Sequence, residues 1–557
     1  MREQHLGSYL RVIVLTGAVA LSSAPAFAQP GQFHINMASL EAAAQSASQQ
    51  PTGTTRRLSM DDAVHSALEQ NLGIRIQRID PQIQDVGVLQ SRSFWSPQLS
   101  TGFARQTQTQ QAQDAFSGGD ITNISGNAGV TQVLPWGGNY SASWNNARGT
   151  TNNTFTSFPV NLRSTLNMQY TQPLARNYSI DQIRQNVQNS KKARDLSDIQ
   201  LRAVITQTTR NVRNAYWDLV YAINNYKAQQ QSLELSQQFL KDNQKRVEIG
   251  TLAPIDIVQA QAEVASNDQG VIVADALIKS YQDNLRTLIL DPGTPNFWEI
   301  VFDPTDAPSF EDQAIDVESA VRNALDKRTD ILSAKNSLQQ SDINIKYYRN
   351  QTLPDVNAQV QYVATATGGQ QLSDIDFANL TATRAVRSDI GFGSVLGDVL
   401  RSAYPTWTVG VQVGYPLGTN TAQSNLARSR LQYEQAQSQM KNIEMNVITQ
   451  VRAAARNVVT FQKSVQSARA SRELQEKKLE AEEKKLAAGM SQSFFVFQAQ
   501  RDLAVSRVQE IQAIANYNKA LVDFQAVQEV SLGGGGGGIT TAGSGAVQTG
   551  GSAIVRQ

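Results

Sequence analysis

The sequence predicts a mixed α and β fold built from two copies of one elongated unit, in which long helical hairpins continue into membrane-type strands. Three observations carry this expectation. The stretch GTLAPIDIVQAQAEVA (250–265) has a near-twin in GMSQSFFVFQAQRDLA (489–504). Each opens on a glycine that ends a long helical pattern, then starts a second helical run through a shared Gln-Ala-Gln, which reads as a tight helical hairpin. Second, AVHSAL (63–68) matches AVRNAL (320–325), and the helical pattern after each stops at a proline, Pro97 or Pro354, marking a tandem repeat. Third, apolar residues alternate with polar or small ones in segments of about ten residues, the length and pattern of a barrel strand. The return segments end alike at Pro173-Leu174 and Pro416-Leu417.

Residues 1–28 read as a secretory signal peptide. Arg2 and Arg11 precede an apolar run of roughly ten residues, short of the ~20 that a spanning helix needs, and Ala26-Phe27-Ala28 supplies a cleavage site. Residues 29–57, rich in Ala, Ser, Gln and Thr, are expected to be a flexible arm. The first repeat, 58–292, then opens with Ser59 as an N-cap and Asp61 and Asp62 in the first turn. A helix with Ala63, Val64, Ala67, Leu68, Leu72 and Ile76 on one face runs on to Phe94 and Trp95.

Strands follow. In the second repeat, Val356, Ala358, Val360, Tyr362 and Ala364 share one face and Asn357, Gln359 and Gln361 the other. Trp407, Val409, Val411, Val413 and Tyr415 alternate likewise, as do Leu166, Met168 and Tyr170 in the first repeat. Half-buried strands of a soluble sheet would show the same alternation. The first repeat also carries an extra stretch, GNAGVTQVLPWGGNYSASWNNAR, turning near Trp136. It either extends a barrel or belongs to an external loop.

Long helical patterns come next, over about 180–249 and 421–488, each ~100 Å at 1.5 Å per residue, with a narrow apolar stripe that implies coiled-coil packing. A Pro- and Asp-containing connector, 293–316, joins the repeats; the second spans 317–531, and 532–557 is a glycine-rich tail. Two strands per repeat make about four per chain. Four cannot close, and an open edge is not tolerated in hydrocarbon, so several copies must pool strands; three would give twelve.

Composition excludes other classes. The chain has no cysteine, so it has no disulfides or thiolate metal sites. Without residues 1–28 its basic and acidic side chains are equal in number, which argues against a nucleic-acid partner. His5 leaves with the expected signal peptide, His34 and His65 are far apart and lack ligand-spaced neighbours, and the run Gly533 to Gly538 lacks the Lys-Ser/Thr of a phosphate loop. The sequence offers no catalytic constellation, cofactor or metal site, and Tyr216 and Trp217 read as helix packing.

In the order of its markers the chain resembles the TolC-type outer-membrane efflux proteins. These markers are LSMDDAVHSALEQN, AYWDLV (215–220), the strand ends YTQPL and GYPLG, and the two glycine-initiated tips. The resemblance spans about 58–528. It implies a homotrimer whose twelve-stranded β-barrel is shared among protomers and sits in outer-membrane lipid, with an α-helical tunnel crossing the periplasm. The tips would meet a periplasmic adaptor and, through it, an inner-membrane pump or an ATP-driven transporter. The implied function is that of a passive channel for efflux of small molecules or type I secretion of a polypeptide. The rival expectation is a structural periplasmic coiled-coil protein with a soluble sheet domain.

The site expected is the pair of tips at Gly250 and Gly489. Relatives often carry a ring of acids in the second return helix; the aligned residues here, Phe495 and Gln498, are uncharged. Phe494, Phe495 and Phe497 are therefore expected to close the tube or dock the adaptor. Asp256, with Glu263 and Asp502 deeper as pore-lining acids, would supply any cation preference.

Overall fold

The computed structural model describes residues 55–111, 119–250, 253–307, 310, 314–375, 383–418 and 420–532. The expected signal peptide, nearly all of the expected arm and the glycine-rich tail lie outside them.

The first repeat begins with strand β1 (Thr55–Leu58), which takes in the last residues of the expected arm. Three helices follow, α1 (Met60–Gln70), α2 (Leu72–Gln77) and α3 (Ile79–Ser93). A single helix was the expectation here. The chain leaves helical geometry at Asn71, whose ψ of 124° is extended, and whose side chain caps α2 by accepting from the Ile74 amide. The second repeat breaks at the aligned position: α6 (Val317–Lys327) and α7 (Thr329–Gln351) flank Arg328, with ψ of 135°. The Arg328 side chain is buried and held by Asp330, Gln450 and the Val527 carbonyl. A buried polar partner on a neighbouring helix is invisible to periodicity, so neither break was legible.

The long helices agree closely with expectation. Helix α4 (Gln182–Glu248) and α9 (Thr421–Ala487) are each 67 residues, about 100 Å. Their returns, α5 (Pro254–Ile289) and α10 (Ser493–Ala526), pack antiparallel against them. Asp181 caps α4 by accepting from the Arg184 amide at 2.7 Å, and Asn420 caps α9, contacts worth about 1 kcal/mol each.

Midway along α4, Val212, Ala215, Tyr216, Leu219 and Val220 are buried against α1, the end of α5 and the connector. The connector carries β6 (Val301–Pro304), which pairs in parallel with β1. The Tyr216 hydroxyl donates to Asp306 at 2.8 Å and accepts from the Asp306 amide, tying the connector to α4. Burial pushes the Tyr216 phenol well above its ordinary value. Asp218 of the same motif pairs with Lys519 of α10 at 2.8 Å.

The sheet at the other end of α4 departs from the expected count. Its strands are β2 (Gln98–Gln110), β3 (Gly119–Val133), β4 (Asn139–Thr151), β5 (Val160–Pro173), β7 (Asp355–Leu372), β8 (Val386–Ile390) and β9 (Pro405–Gly414). They form one seven-stranded antiparallel sheet in the order β2-β3-β4-β5-β7, with β8 and β9 both on the far edge of β7. About four strands per chain was the expectation. The excess arises because the extra stretch is a full hairpin in register with both neighbours: β3 pairs along β2, and β4 along β5. Its turn closes through the Leu134 amide on the Gly138 carbonyl at 2.7 Å. Gly137 takes φ of 96° where a Cβ would meet the Arg184 guanidinium and the Asn177 carbonyl, so the turn is seated on the start of α4.

Strands β8 and β9 are one return path, interrupted by helix α8 (Phe392–Leu400). Val395 and Val399 of α8 pack on Leu162, Ala364 and Ala366. Gly368 gives this helix its seat, since a Cβ there would stand 2.4 Å from Val395.

Register assigns the two faces of the sheet. Tyr140, Met168 and Tyr170 share one face with Val360, Tyr362, Trp407 and Val409; Ser141, Asn167 and Gln169 share the other with Gln361, Thr408 and Gln412. Among the described residues no helix is long and apolar enough to cross a membrane.

Candidate functional site at the hairpin tips

Both tips turn on a glycine with positive φ, 77° at Gly250 and 74° at Gly489. A Cβ at either would meet nothing within 4 Å. Backbone angle, not space, therefore requires glycine there. The second tip is a complete Schellman turn: the Gly489 amide donates to Leu486 and the Met490 amide to Lys485 at 2.8 Å. At the first, the Gly250 amide donates to Val247 at 3.0 Å. Pro254 starts α5 at a position where no amide donor is needed.

Side chains differ more than backbones. The first tip presents Ile249, Ile255 and Val258 to the outside, with Asp256 half-buried in the opening turn of α5. The second is stitched by ions: Ser491 donates to Glu482 at 2.9 Å and Lys485 pairs with Glu482 at 2.6 Å. The Lys485 and Ser491 hydrogen bonds hold the Glu482 carboxyl below its ordinary value, and Lys484 does the same for Glu480.

The three phenylalanines separate. Phe494 and Phe495 are 54% and 48% exposed and stack edge-to-face on each other; Met490 beside them is also exposed. Phe497 is 5% exposed and stacks edge-to-face on Phe239 of α4, ring centroids 4.8 Å apart. Phe497 is thus a packing residue between the two hairpins, which corrects its expected place among the docking or closing residues. Gln498 is exposed one turn beyond Phe494.

The deeper acids are also placed differently from expectation. Glu263 is 4% exposed and accepts from Arg501 Nε at 2.7 Å. Its charge is satisfied inside the chain, so it is not a pore-lining acid. The hydrogen bond to Glu263 raises the Arg501 guanidinium above its ordinary value. Asp502, aligned with Glu263 in the repeat, pairs instead with Lys478 of its own hairpin at 2.7 Å. Arg501 was missed in the sequence; its signal was a cation beside Asp502 where the twin segment has Ala262.

Above the second tip, Arg472 bridges Glu476 at 2.9 Å and Glu510 at 2.5 Å, and Arg507 joins Glu476 at 3.2 Å, locking α9 to α10. Burial pushes the Glu476 carboxyl up, but hydrogen bonds from Arg507 and Arg472 outweigh it and leave the group below its ordinary value. Among the described residues no cluster of three or more His, Asp or Glu is placed to hold a metal.

Two hairpins of equal long helices joined to an amphipathic sheet define a class of duct-forming envelope proteins, and comparison agrees. The sequence model described as Outer membrane efflux protein matches residues 163–289 and 320–527. The chain belongs to that family and to the outer membrane, which removes the soluble periplasmic rival. The fold is shared with the CmeC outer membrane channel of Campylobacter jejuni, at 15% identity and TM-score 0.58 over 84% of this chain and 85% of that one. VceC of Vibrio cholerae gives 12% identity and TM-score 0.57 over 85% and 96%. The open-state MtrE channel of Neisseria gonorrhoeae gives 15% and 0.58 over 84% and 89%. No curated protein sequence matches the chain.

Proposed function

We propose that the chain is the passive outer-membrane duct of a tripartite exporter. Three copies pool their strands into a barrel and their hairpins into a periplasmic tunnel. The tips meet a periplasmic adaptor and, through it, an inner-membrane pump or ATP-driven transporter. One observation supports this above others: a sheet with one apolar and one polar face continues into two 67-residue helices that turn back at glycine tips. An apolar outer face suits lipid and a polar inner face suits water. Helices of that length reach far from the membrane and must pack against neighbours to bury their stripe.

At the mouth, Met490, Phe494 and Phe495 form the apolar surface on which the adaptor docks, and Asp256 supplies any cation preference. The cargo, small toxic compounds or an exported polypeptide, is carried rather than chemically altered. Fractionation tests the whole reading: the protein should extract from outer membrane only with detergent, as a trimer that dissociates on heating. Deleting it should either raise sensitivity to small toxic compounds or abolish export of a polypeptide. Release by osmotic shock as a soluble monomer would overturn it. For the mouth, single-channel recording of Asp256→Asn should show reduced cation selectivity; unchanged selectivity would remove Asp256 from this role.

A further inference from the structure

We infer that each copy contributes six wall strands, so that the trimer closes an eighteen-stranded exit barrel, joined where the β2 edge of one copy pairs with the β9 edge of the next. This rests on the trimeric duct reading and concerns its width.

The six wall positions are β2, β3, β4, β5, β7 and the interrupted return path of β8 and β9. The β3–β4 hairpin is integral to the sheet. Ile121 to Val133 pairs with β4 without a slip, and all of β2 pairs with β3. Removing the hairpin from the wall would break its ladders with β2 on one side and with β5 on the other. Its face pattern is also that of the wall. Tyr140, Ala142 and Trp144 share the apolar face of Tyr170, Met168 and Leu166, while Ser141, Ser143 and Asn145 share the polar face of Gln169, Asn167 and Thr165. The five-residue turn joining β3 to β4 lies at the helix end of the sheet, and the longer connections lie at the other end, as in outer-membrane barrels. The family match begins at residue 163, beyond this hairpin.

Two edges then remain open, and they fit each other. Strands β2 and β9 are exposed at every position. Strand β2 runs away from the helices and β9 runs back towards them, so copies placed side by side pair antiparallel. Leu99 and Phe103 on β2 lie on the same face as Val409, Val411 and Val413 on β9, so both edges turn their apolar residues outward. Unpaired backbone groups on either edge would be intolerable in hydrocarbon, and a second copy supplies what each lacks. Barrel diameter grows roughly linearly with strand number, so this exit is about 1.5 times as wide as one of twelve strands. Its inner face is mostly amide, hydroxyl and glycine, and its charged positions are Arg163 on β5 and Asp355 at the helix end of β7. Such an outlet imposes little size or charge selection, which leaves discrimination to the tips.

The chain has no cysteine, so introduced pairs are the only thiols. In the full-length protein in outer membranes, Thr101→Cys is combined in turn with Val409→Cys, Val411→Cys and Val413→Cys. Oxidation should yield covalent dimers and trimers in at least one pair, and cryo-electron microscopy in nanodiscs should count eighteen strands around three copies. A Thr101→Cys, Leu166→Cys pair should stay unlinked, because β3 and β4 stand between them. Twelve strands around three copies, with that last pair linked within one chain, would overturn the inference and leave the trimeric duct standing. A protein that is neither trimeric nor membrane-embedded would overturn both.

Discussion

The two repeats share a skeleton and differ at its two ends, the hairpin tips and the sheet. Their long helices are equal at 67 residues, their tip glycines differ by 3° in φ, and their opening helices break at aligned positions. Hairpins that stand in one tunnel wall must match in length, whatever their sequence. The tips are under no such demand. One is aliphatic with Pro254 and Asp256; the other is aromatic and ion-stitched. The first repeat gives the sheet four strands side by side, whereas the second gives three, two of which share one edge of β7. Geometry fixes the duct, and its ends are free to diverge.

The sharpest test of that division is within the second tip. Phe497→Ala should destabilise the protein by about 3 kcal/mol, the cost of emptying a buried aromatic site, read as a lowered midpoint of thermal trimer dissociation. Phe495→Ala should shift the same midpoint by under about 0.5 kcal/mol, as exposed sites do, while weakening adaptor capture. Equal effects of the two would erase the distinction between packing and docking residues.

Arg501→Ala should come next. It leaves Glu263 buried without its partner, and because Arg501 is itself largely exposed the loss should be about 2 kcal/mol. Adding Glu263→Leu should restore most of it. Asp502→Ala, at the aligned position, removes only a half-exposed pair and should cost under about 1 kcal/mol. If the two repeats responded alike, the cross-hairpin role of Arg501 would be wrong.

The tip glycines should behave as equals. Gly250→Ala and Gly489→Ala each place a Cβ in the left-handed region, at about 1–2 kcal/mol, visible as faster amide exchange confined to the tip. Gly→Asn should be milder in both.

Long periodic elements were readable because a stripe over some 67 residues is many times redundant. The turns were readable because glycine at positive φ leaves a mark in the sequence. What was not readable depends on partners distant in the chain. Asn71 and Arg328 break helices by bonding to other elements, and Phe497 differs from Phe495 only in having Phe239 opposite it. Glu263 and Asp502 align in sequence, yet one is buried and bridged across hairpins while the other is not. The hairpin's strands were partly visible, but their membership in the sheet is decided by register with β2 and β5, which no local pattern encodes.

The smallest effect concerns pH, and it tests whether the ion stitching of the second tip matters. Glu480 and Glu482 are held below the ordinary glutamate range by Lys484 and by Lys485 with Ser491. A carboxylate depressed in the folded state contributes stability that is complete above its unfolded pKa, about 4.3, and is lost as pH falls through the folded value. Limited proteolysis should therefore show the second tip unchanged from pH 7 to about 5, then opening more readily below about 4. The double variant Glu480→Gln, Glu482→Gln should flatten that dependence without altering cleavage at the first tip. Glu480 is exposed and Glu482 partly so, and salt should weaken the effect as well, most at Glu480. A wild-type profile that acid and salt leave flat would show that the Schellman turn alone holds this end of the hairpin.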